Sequence, residues 1–182
     1  VVIGKAPETP VPATHIRKEP VLTMDGSWKL SFESGLGAPA TAVFDHLMSY
    51  TESKDPNIRY YAGTVTYRKT FSLKKKQVKG ASAWEIDLGD VKNLARVKVN
   101  GFDLGVVWKA PFRVEVPAEY LHAGVNDLEV KVINLWPNRI IGDLQPDAPR
   151  KWTFTASNWY TADSPLLPSG LLGPVTVSSL HE

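Results

Sequence analysis

The sequence predicts an all-β fold, a β-sandwich of jelly-roll type. Three observations predict it: apolar and polar residues alternate with period two in several short runs, Gly, Pro and Asn punctuate those runs, and helical periodicity is nearly absent. Many short alternating strands without interleaved helices favour antiparallel pairing in two stacked sheets, each with one oily and one wet face. A closed barrel is the runner-up architecture.

Residues 1–21 carry Pro7, Pro10, Pro12 and Pro20 and no sustained periodicity. That composition suits a proline-rich linker, or an extended segment laid along a neighbouring domain, and places the sandwich at residues 22–182. Trp28, Leu30 and Phe32 then alternate with Lys29 and Ser31, and Trp84, Ile86 and Leu88 alternate with Glu85 and Asp87. The pattern recurs in Ala95, Val97 and Val99, in Phe112, Val114 and Val116, and in Leu128, Val130 and Val132. Thr64–Phe71 is rich in β-branched and aromatic residues, and residues 174–178 supply a late strand after a glycine-rich turn. Asn100-Gly101 is the dipeptide that best tolerates positive φ at both centres of a type I′ turn, so Leu104–Trp108 folds back on Ala95–Val99. Helical signals are confined to one turn at Pro117–Leu121, with proline at its first position, and another within Phe44–Tyr50.

Composition narrows the function. The 182 residues fit one domain able to bury a core without disulfides. A net charge of +2, from 21 Lys and Arg against 19 Asp and Glu, offers nothing to attract nucleic acid. The basic run Lys74-Lys75-Lys76 with Lys79 reads as a solvated hairpin loop. With no cysteine, thiolate metal sites and cysteine nucleophiles are excluded. No uncharged apolar run is long enough to cross a bilayer, and Val1-Val2-Ile3 is too short for a signal-peptide core, so any leader lies outside this chain.

Motifs for catalysis are missing as well. No G-x-S-x-G turn accompanies the four histidines: His15 is in the N-terminal segment, His181 is at the C-terminus, and His46 and His122 read as turn residues. Gly35-Leu36-Gly37 precedes no helix that could meet a phosphate, and no H-x-x-x-H or EF-hand spacing occurs. A calcium held by scattered loop carboxylates and carbonyls would leave no motif, and no cofactor is expected. Most acids fall on the polar faces of strands; Asp143 and Asp163 are the two in a position to be tested as glycosidic acids.

Between Asn134 and Gly173 the alternation lapses over about forty residues, longer than loops in compact domains usually run. The stretch holds Trp136, Trp152, Trp159, Tyr160, Asn134, Asn138, Arg139, Asp143 and Asn158. Indole faces stack on pyranose rings, and planar amide, carboxylate and guanidinium groups bind paired hydroxyls, so this is the candidate ligand-binding or domain-docking segment. Trp28 and Trp84 continue apolar faces and belong to the core, as Trp136 after Leu135 could; Trp152, Trp159 and Tyr160 divide evenly between packing and ligand contact.

Four strings carry a family resemblance. They are Tyr61–Phe71 (Tyr-Ala-Gly-Thr-Val-Thr-Tyr-Arg-Lys-Thr-Phe), Val97–Gly105 around Val-Asn-Gly, Asn134–Asp143 (Asn-Leu-Trp-Pro-Asn-Arg-Ile-Ile-Gly-Asp) and Leu166–Val175 around Pro-Ser-Gly-Leu-Leu-Gly-Pro. Over about residues 25–179 the chain resembles the galactose-binding-like sandwich that ends glycoside hydrolase family 106, the α-L-rhamnosidases. That sandwich is similar to the sugar-binding domain of family 2 glycosidases.

The resemblance implies an accessory domain attached to a separate catalytic barrel in a bacterial enzyme exported to the periplasm or cell surface. The catalytic acids would belong to that barrel, and no catalytic residue is assigned to this chain. The expected site residues are Trp136, Asn138, Arg139, Asp143, Trp152, Trp159 and Tyr160, and the expected partner is the parent's catalytic domain, with carbohydrate second. Two other readings stand beside it: an autonomous carbohydrate-binding module that stacks sugars on Trp152, Trp159 and Tyr160, and a structural module that contacts protein.

Overall fold

A computed structural model describes residues 16–156 and 159–181. Asn158, His15, Pro7, Pro10 and Pro12 lie outside the described residues. In chain order the strands are β1 (Arg17–Thr23), β2 (Trp28–Phe32), β3 (Thr41–Phe44), β4 (Thr64–Leu73), β5 (Ala83–Asp87), β6 (Asp90–Lys92), β7 (Leu94–Val99), β8 (Phe102–Val107), β9 (Arg113–Pro117), β10 (Gly124–Ile133), β11 (Gly170–Gly173) and β12 (Thr176–His181). Three short helices join them: α1 (Pro56–Arg59), α2 (Lys75–Val78) and α3 (Pro137–Asp143).

The strands form a six-stranded sheet ordered β3-β2-β4-β10-β7-β8, a four-stranded sheet ordered β1-β12-β5-β9, and a small ribbon of β11 and β6. Every strand pairing is antiparallel. The alternation read from the sequence gives the inner faces. Trp28, Leu30, Tyr67, Val97, Val99, Leu128 and Val130 from the larger sheet share one core with Trp84, Ile86, Val116 and Val177 from the smaller. An all-β sandwich is therefore the fold of this chain. Trp28 and Trp84 have no exposed surface, as expected of core tryptophans.

The Asn100-Gly101 turn has φ of 49° and 84°, positive at both centres, and β8 returns along β7 from it. Asn100 also works through its side chain: Nδ2 donates to Tyr120 O at 2.7 Å and to Asn126 Oδ1 at 2.8 Å, and Oδ1 accepts from Asp127 N at 2.8 Å. Asn126 interrupts the apolar row of β10 and is fully buried. Its amide is satisfied at every position, since Oδ1 also accepts from His122 N and Nδ2 donates to His122 O and Gly124 O.

Four local expectations change. The basic run at residues 74–79 is not a hairpin loop: β4 and β5 belong to different sheets, and the single turn α2 carries the chain between them. The turn at Pro117–Leu121 is a 3₁₀ turn over Ala118–Tyr120 with Pro117 at its cap. Within Phe44–Tyr50, Phe44 ends β3 and the helical turn begins only at Tyr50, capped by Ser49 and Glu52. Residues 17–20, taken by sequence with the extended N-terminal segment, pair with β12 as part of the edge strand of the smaller sheet, with the register shifting at Val21.

Candidate functional site

The segment after β10 is organised by α3, which carries Asn138, Arg139 and Asp143, all buried. Pro137 at the first helical position presets φ and leaves no amide wanting a partner, so the helix starts directly after Trp136. Each buried polar residue grips a different later stretch of chain. Asn138 donates through Nδ2 to Leu167 O at 2.7 Å and Ser169 Oγ at 2.9 Å, and its Oδ1 accepts from Leu167 N at 2.8 Å. Asp143 Oδ2 accepts from Trp152 N at 2.9 Å and from Thr153 N and Oγ1, both at 2.7 Å. Gln145, just past the helix, donates to Ala162 O at 2.9 Å.

Arg139 completes this hub. Its Nε lies 3.0 Å from Asp143 Oδ1, with both side chains nearly excluded from solvent. The two atoms form an ion pair by distance but lack hydrogen-bond alignment. The guanidinium carbon stands 6.0 Å from the Tyr60 ring centroid, and α3 approaches so closely that a Cβ on Gly142 would fall 2.5 Å from Tyr60 Cβ. Upstream, Asn134 ties the end of β10 to the Tyr61-Ala62-Gly63 bend: Oδ1 accepts from Gly63 N and Nδ2 donates to Tyr61 O, each at 2.8 Å. Downstream, Ser169 bonds Ser49 Oγ and Tyr50 N through its own N–H and C=O.

The seven residues singled out by sequence thus divide by position. Asn138, Arg139 and Asp143 are brought together inside, where Asn138 and Asp143 Oδ2 bond the chain itself and Arg139 is held by its ion pair with Asp143. Trp152 is half-buried, covered by the Arg150 guanidinium 3.9 Å from its ring centroid and pressed on Gly37, where a Cβ would sit 2.7 Å from Cε2. Tyr160 is half-buried, Trp136 is 49% exposed and outside the core, and Trp159 is 87% exposed. Phe154, passed over in the sequence, is 95% exposed, and Leu135, Leu144 and Leu167 are exposed too. They are single apolar residues scattered without period, a pattern that marks neither a strand nor a helix face.

The concavity bordered by Leu135, Asn138, Leu167 and Ser169 measures ≈ 40 Å³. A sugar needs several times that space. Asp163, the other candidate acid, is exposed, while Asp143 has both oxygens engaged. Among the described residues no group of three or more His, Asp or Glu is placed to hold a metal ion, and no helix is long and apolar enough to cross a membrane.

No family model matches the chain. It is 39% identical, over 196 residues, to a Formosa agariphila protein named "Putative beta-glucuronidase", in a match that takes in 94% of this chain and 17% of that protein. Its fold matches the structure of a rhamnosidase from Novosphingobium sp. PP1Y with a TM-score of 0.84 at 40% identity, over 96% of this chain and 16% of that one. A β-D-glucuronidase of Dictyoglomus thermophilum matches with a TM-score of 0.61 at 19% identity, over 96% of this chain and 30% of that one, which is likeness of fold. The chain spans about a sixth of the length of the first two relatives. It corresponds to one segment of larger glycosidases.

Proposed function

We propose that this chain is a non-catalytic accessory domain of an exported bacterial glycoside hydrolase, of α-L-rhamnosidase type, and that it docks on the rest of its parent through residues 134–169. The observation that carries this reading is the contrast within that segment. Phe154 and Trp159 stand almost wholly in solvent, while the backbone beside Phe154 is held by a buried carboxylate. Leaving large apolar side chains in water costs free energy that burial against a second surface recovers, and aromatic residues on an ordered frame are what docking interfaces use.

The relatives support the same assignment, since the homologous segment in each is followed or preceded by several times its own length of glycosidase chain. Resemblance to the rhamnosidase strings and the 40% identity to a rhamnosidase structure support that type of parent. Catalysis belongs to the rest of the parent, and the periplasm or cell surface is where such an enzyme would meet a polysaccharide.

The test is to express the remainder of the parent separately and mix it with this chain. Co-elution on size exclusion, with a rise in the remainder's turnover or melting temperature, is expected. Trp136→Ala and Trp159→Ala should each weaken the association by tenfold or more, because buried interface tryptophans are among the costliest to truncate. Separate elution at micromolar concentrations of both parts overturns the docking role.

A further inference from the structure

The outer face of the six-stranded sheet holds a concavity of ≈ 700 Å³, the size of a pocket for an oligosaccharide segment, and it shares no residue with the segment 134–169. Its floor is a transverse row fixed by strand register: Lys29 on β2 faces Arg68 on β4, Arg68 faces Glu129 on β10, and Glu129 faces Lys98 on β7. Thr70 and Asp127, paired across β4 and β10, add a hydroxyl and a second carboxylate.

The row divides into a fixed centre and two free ends. Arg68 donates through Nε to Glu129 Oε2 at 3.0 Å and through Nη1 to Ser31 Oγ at 3.1 Å, with Nη2 2.9 Å from the same carboxylate oxygen. Among the described residues neither Lys29 nor Lys98 has a salt-bridge partner at contact distance; Asp103, opposite Lys98 on β8, is bonded to Arg96, and Lys98 acts on it only through the weaker field of a neighbouring charge. The two ammonium groups are three strand spacings apart, about 14 Å between their backbones. Between them lie carboxylate oxygens able to accept from hydroxyl groups.

We propose that this groove binds an acidic oligosaccharide, with Lys29 and Lys98 each receiving a carboxylate of the ligand and Asp127 and Glu129 accepting from its hydroxyls. The mixture of charges selects for this chemistry. The lining carries four cations, Lys29, Arg68, Lys69 and Lys98, against Asp127 and Glu129, so it attracts anions, and its two carboxylates add acceptors that the hydroxyl groups of a sugar acid can use and a polyphosphate has no donors for. Among the described residues no aromatic ring lines the groove, so neutral sugars find no stacking platform on them.

Calorimetry of the 182-residue chain with a tetramer of galacturonic acid and with its carboxyl-reduced counterpart, at low salt, tests the proposal. Binding of the acidic tetramer and none of the neutral one is expected. Lys29→Gln and Lys98→Gln should each weaken it about three- to tenfold, as loss of one exposed charge-assisted contact would, and added salt should weaken it further. Lys75→Gln, on α2 and outside the groove, should leave it unchanged, and unaltered melting of all three variants excludes misfolding. The proposal is overturned by no binding at millimolar ligand, by equal binding of the neutral tetramer, by indifference to both groove substitutions, or by equal affinity for a phosphopeptide or oligonucleotide of the same charge. Docking of the domain through Trp136 and Trp159 is unaffected by any of these outcomes.

Discussion

Arg139 and Asp143 lie one turn apart on α3, with Nε and Oδ1 3.0 Å from each other and both side chains nearly excluded from solvent. Two charges held there are costly unless each has partners, and the pair meets that demand unequally. Asp143 gains three hydrogen bonds from Trp152 and Thr153, while Arg139 relies on the carboxylate and the Tyr60 ring. Asp143→Ala removes the carboxylate and leaves a buried guanidinium uncompensated. It should destabilise the domain by about 3–5 kcal/mol, a fall in Tm on the order of 10 °C for a chain of this size. A thermal melt that matches the wild type would show that the pair does not hold the segment.

Asn126 tests a second buried polar centre. Its side chain makes four hydrogen bonds to Asn100, His122 and Gly124, and truncation leaves several of those groups without partners inside the fold. Asn126→Ala should cost about 2–3 kcal/mol in urea unfolding. Asn126→Leu restores the apolar volume but not the donors and acceptors, so it should recover little. Full recovery by leucine would mean that packing, not hydrogen bonding, is what the site needs.

These two centres also mark where sequence reading stops. Period two gave the inner faces of β2, β5, β7, β9 and β10 correctly, because each inward position is decided locally by whether the side chain is apolar. Asn100-Gly101 was legible for the same reason: positive φ at two successive residues is a property of the dipeptide. The roles of Asn138, Arg139 and Asp143 were not legible. A polar side chain in a segment without period can face a ligand or its own chain, and only the return of residues 152–153 and 167–169 to α3 decides it. The crossing from β4 to β5 escaped notice because a lysine-rich turn is equally suited to a hairpin and to a passage between sheets.

Tyr50, Tyr61 and Tyr67 are buried side by side, and burial raises the pKa of each phenol above its ordinary 10.0, that of Tyr61 to about 12. Tyr61 Oη donates to Thr64 O at 3.1 Å, and Tyr67 Oη accepts from Leu171 N at 3.1 Å. A group whose folded pKa lies above its unfolded value contributes stability that is complete below the unfolded pKa and is lost as pH rises toward the folded one. Stability should therefore be level up to about pH 10 and decline from there toward pH 12. In difference absorbance, these tyrosines should ionise only together with unfolding. Ionisation of all six tyrosines of the chain near pH 10 in a still-folded protein would contradict their burial.

Asp103 on β8 is held by Arg96 on β7, whose Nε lies 2.9 Å from Oδ2, and Gly105 N donates to its other oxygen at 3.0 Å. These bonds lower the carboxyl pKa from 3.8 to about 2, with the Arg96 bond the larger cause. The folded pKa is depressed, so the contribution is present above about pH 4 and is lost as pH falls toward 2. Carboxyl NMR titration should find Asp103 near 2 in the wild type and closer to 3.8 in Arg96→Gln. Because the pair is at the surface, the substitution should leave stability at neutral pH nearly unchanged.

The last prediction separates the two halves of the segment after β10. Phe154 and Trp159 have nearly all of their surface in water, so truncating them to alanine removes little that folding has buried, and each variant should melt within about 0.5 kcal/mol of the wild type, whereas Trp136, half covered, should cost more. Asn138→Ala has the opposite profile: it removes three buried hydrogen bonds and leaves Leu167 N without a partner, while Ser169 Oγ and Leu167 O keep only their bond to each other, and it should cost about 2 kcal/mol. In the full parent the order of effects should change. Trp159→Ala should there lower the melting temperature or turnover through loss of docking, although it is silent in the isolated domain, and Trp136→Ala should cost more there than in the isolated domain. Asn138→Ala should act in both settings by the same amount. If Trp159→Ala were silent in the parent as well, the exposure of Trp159 would reflect an idle surface and not an interface.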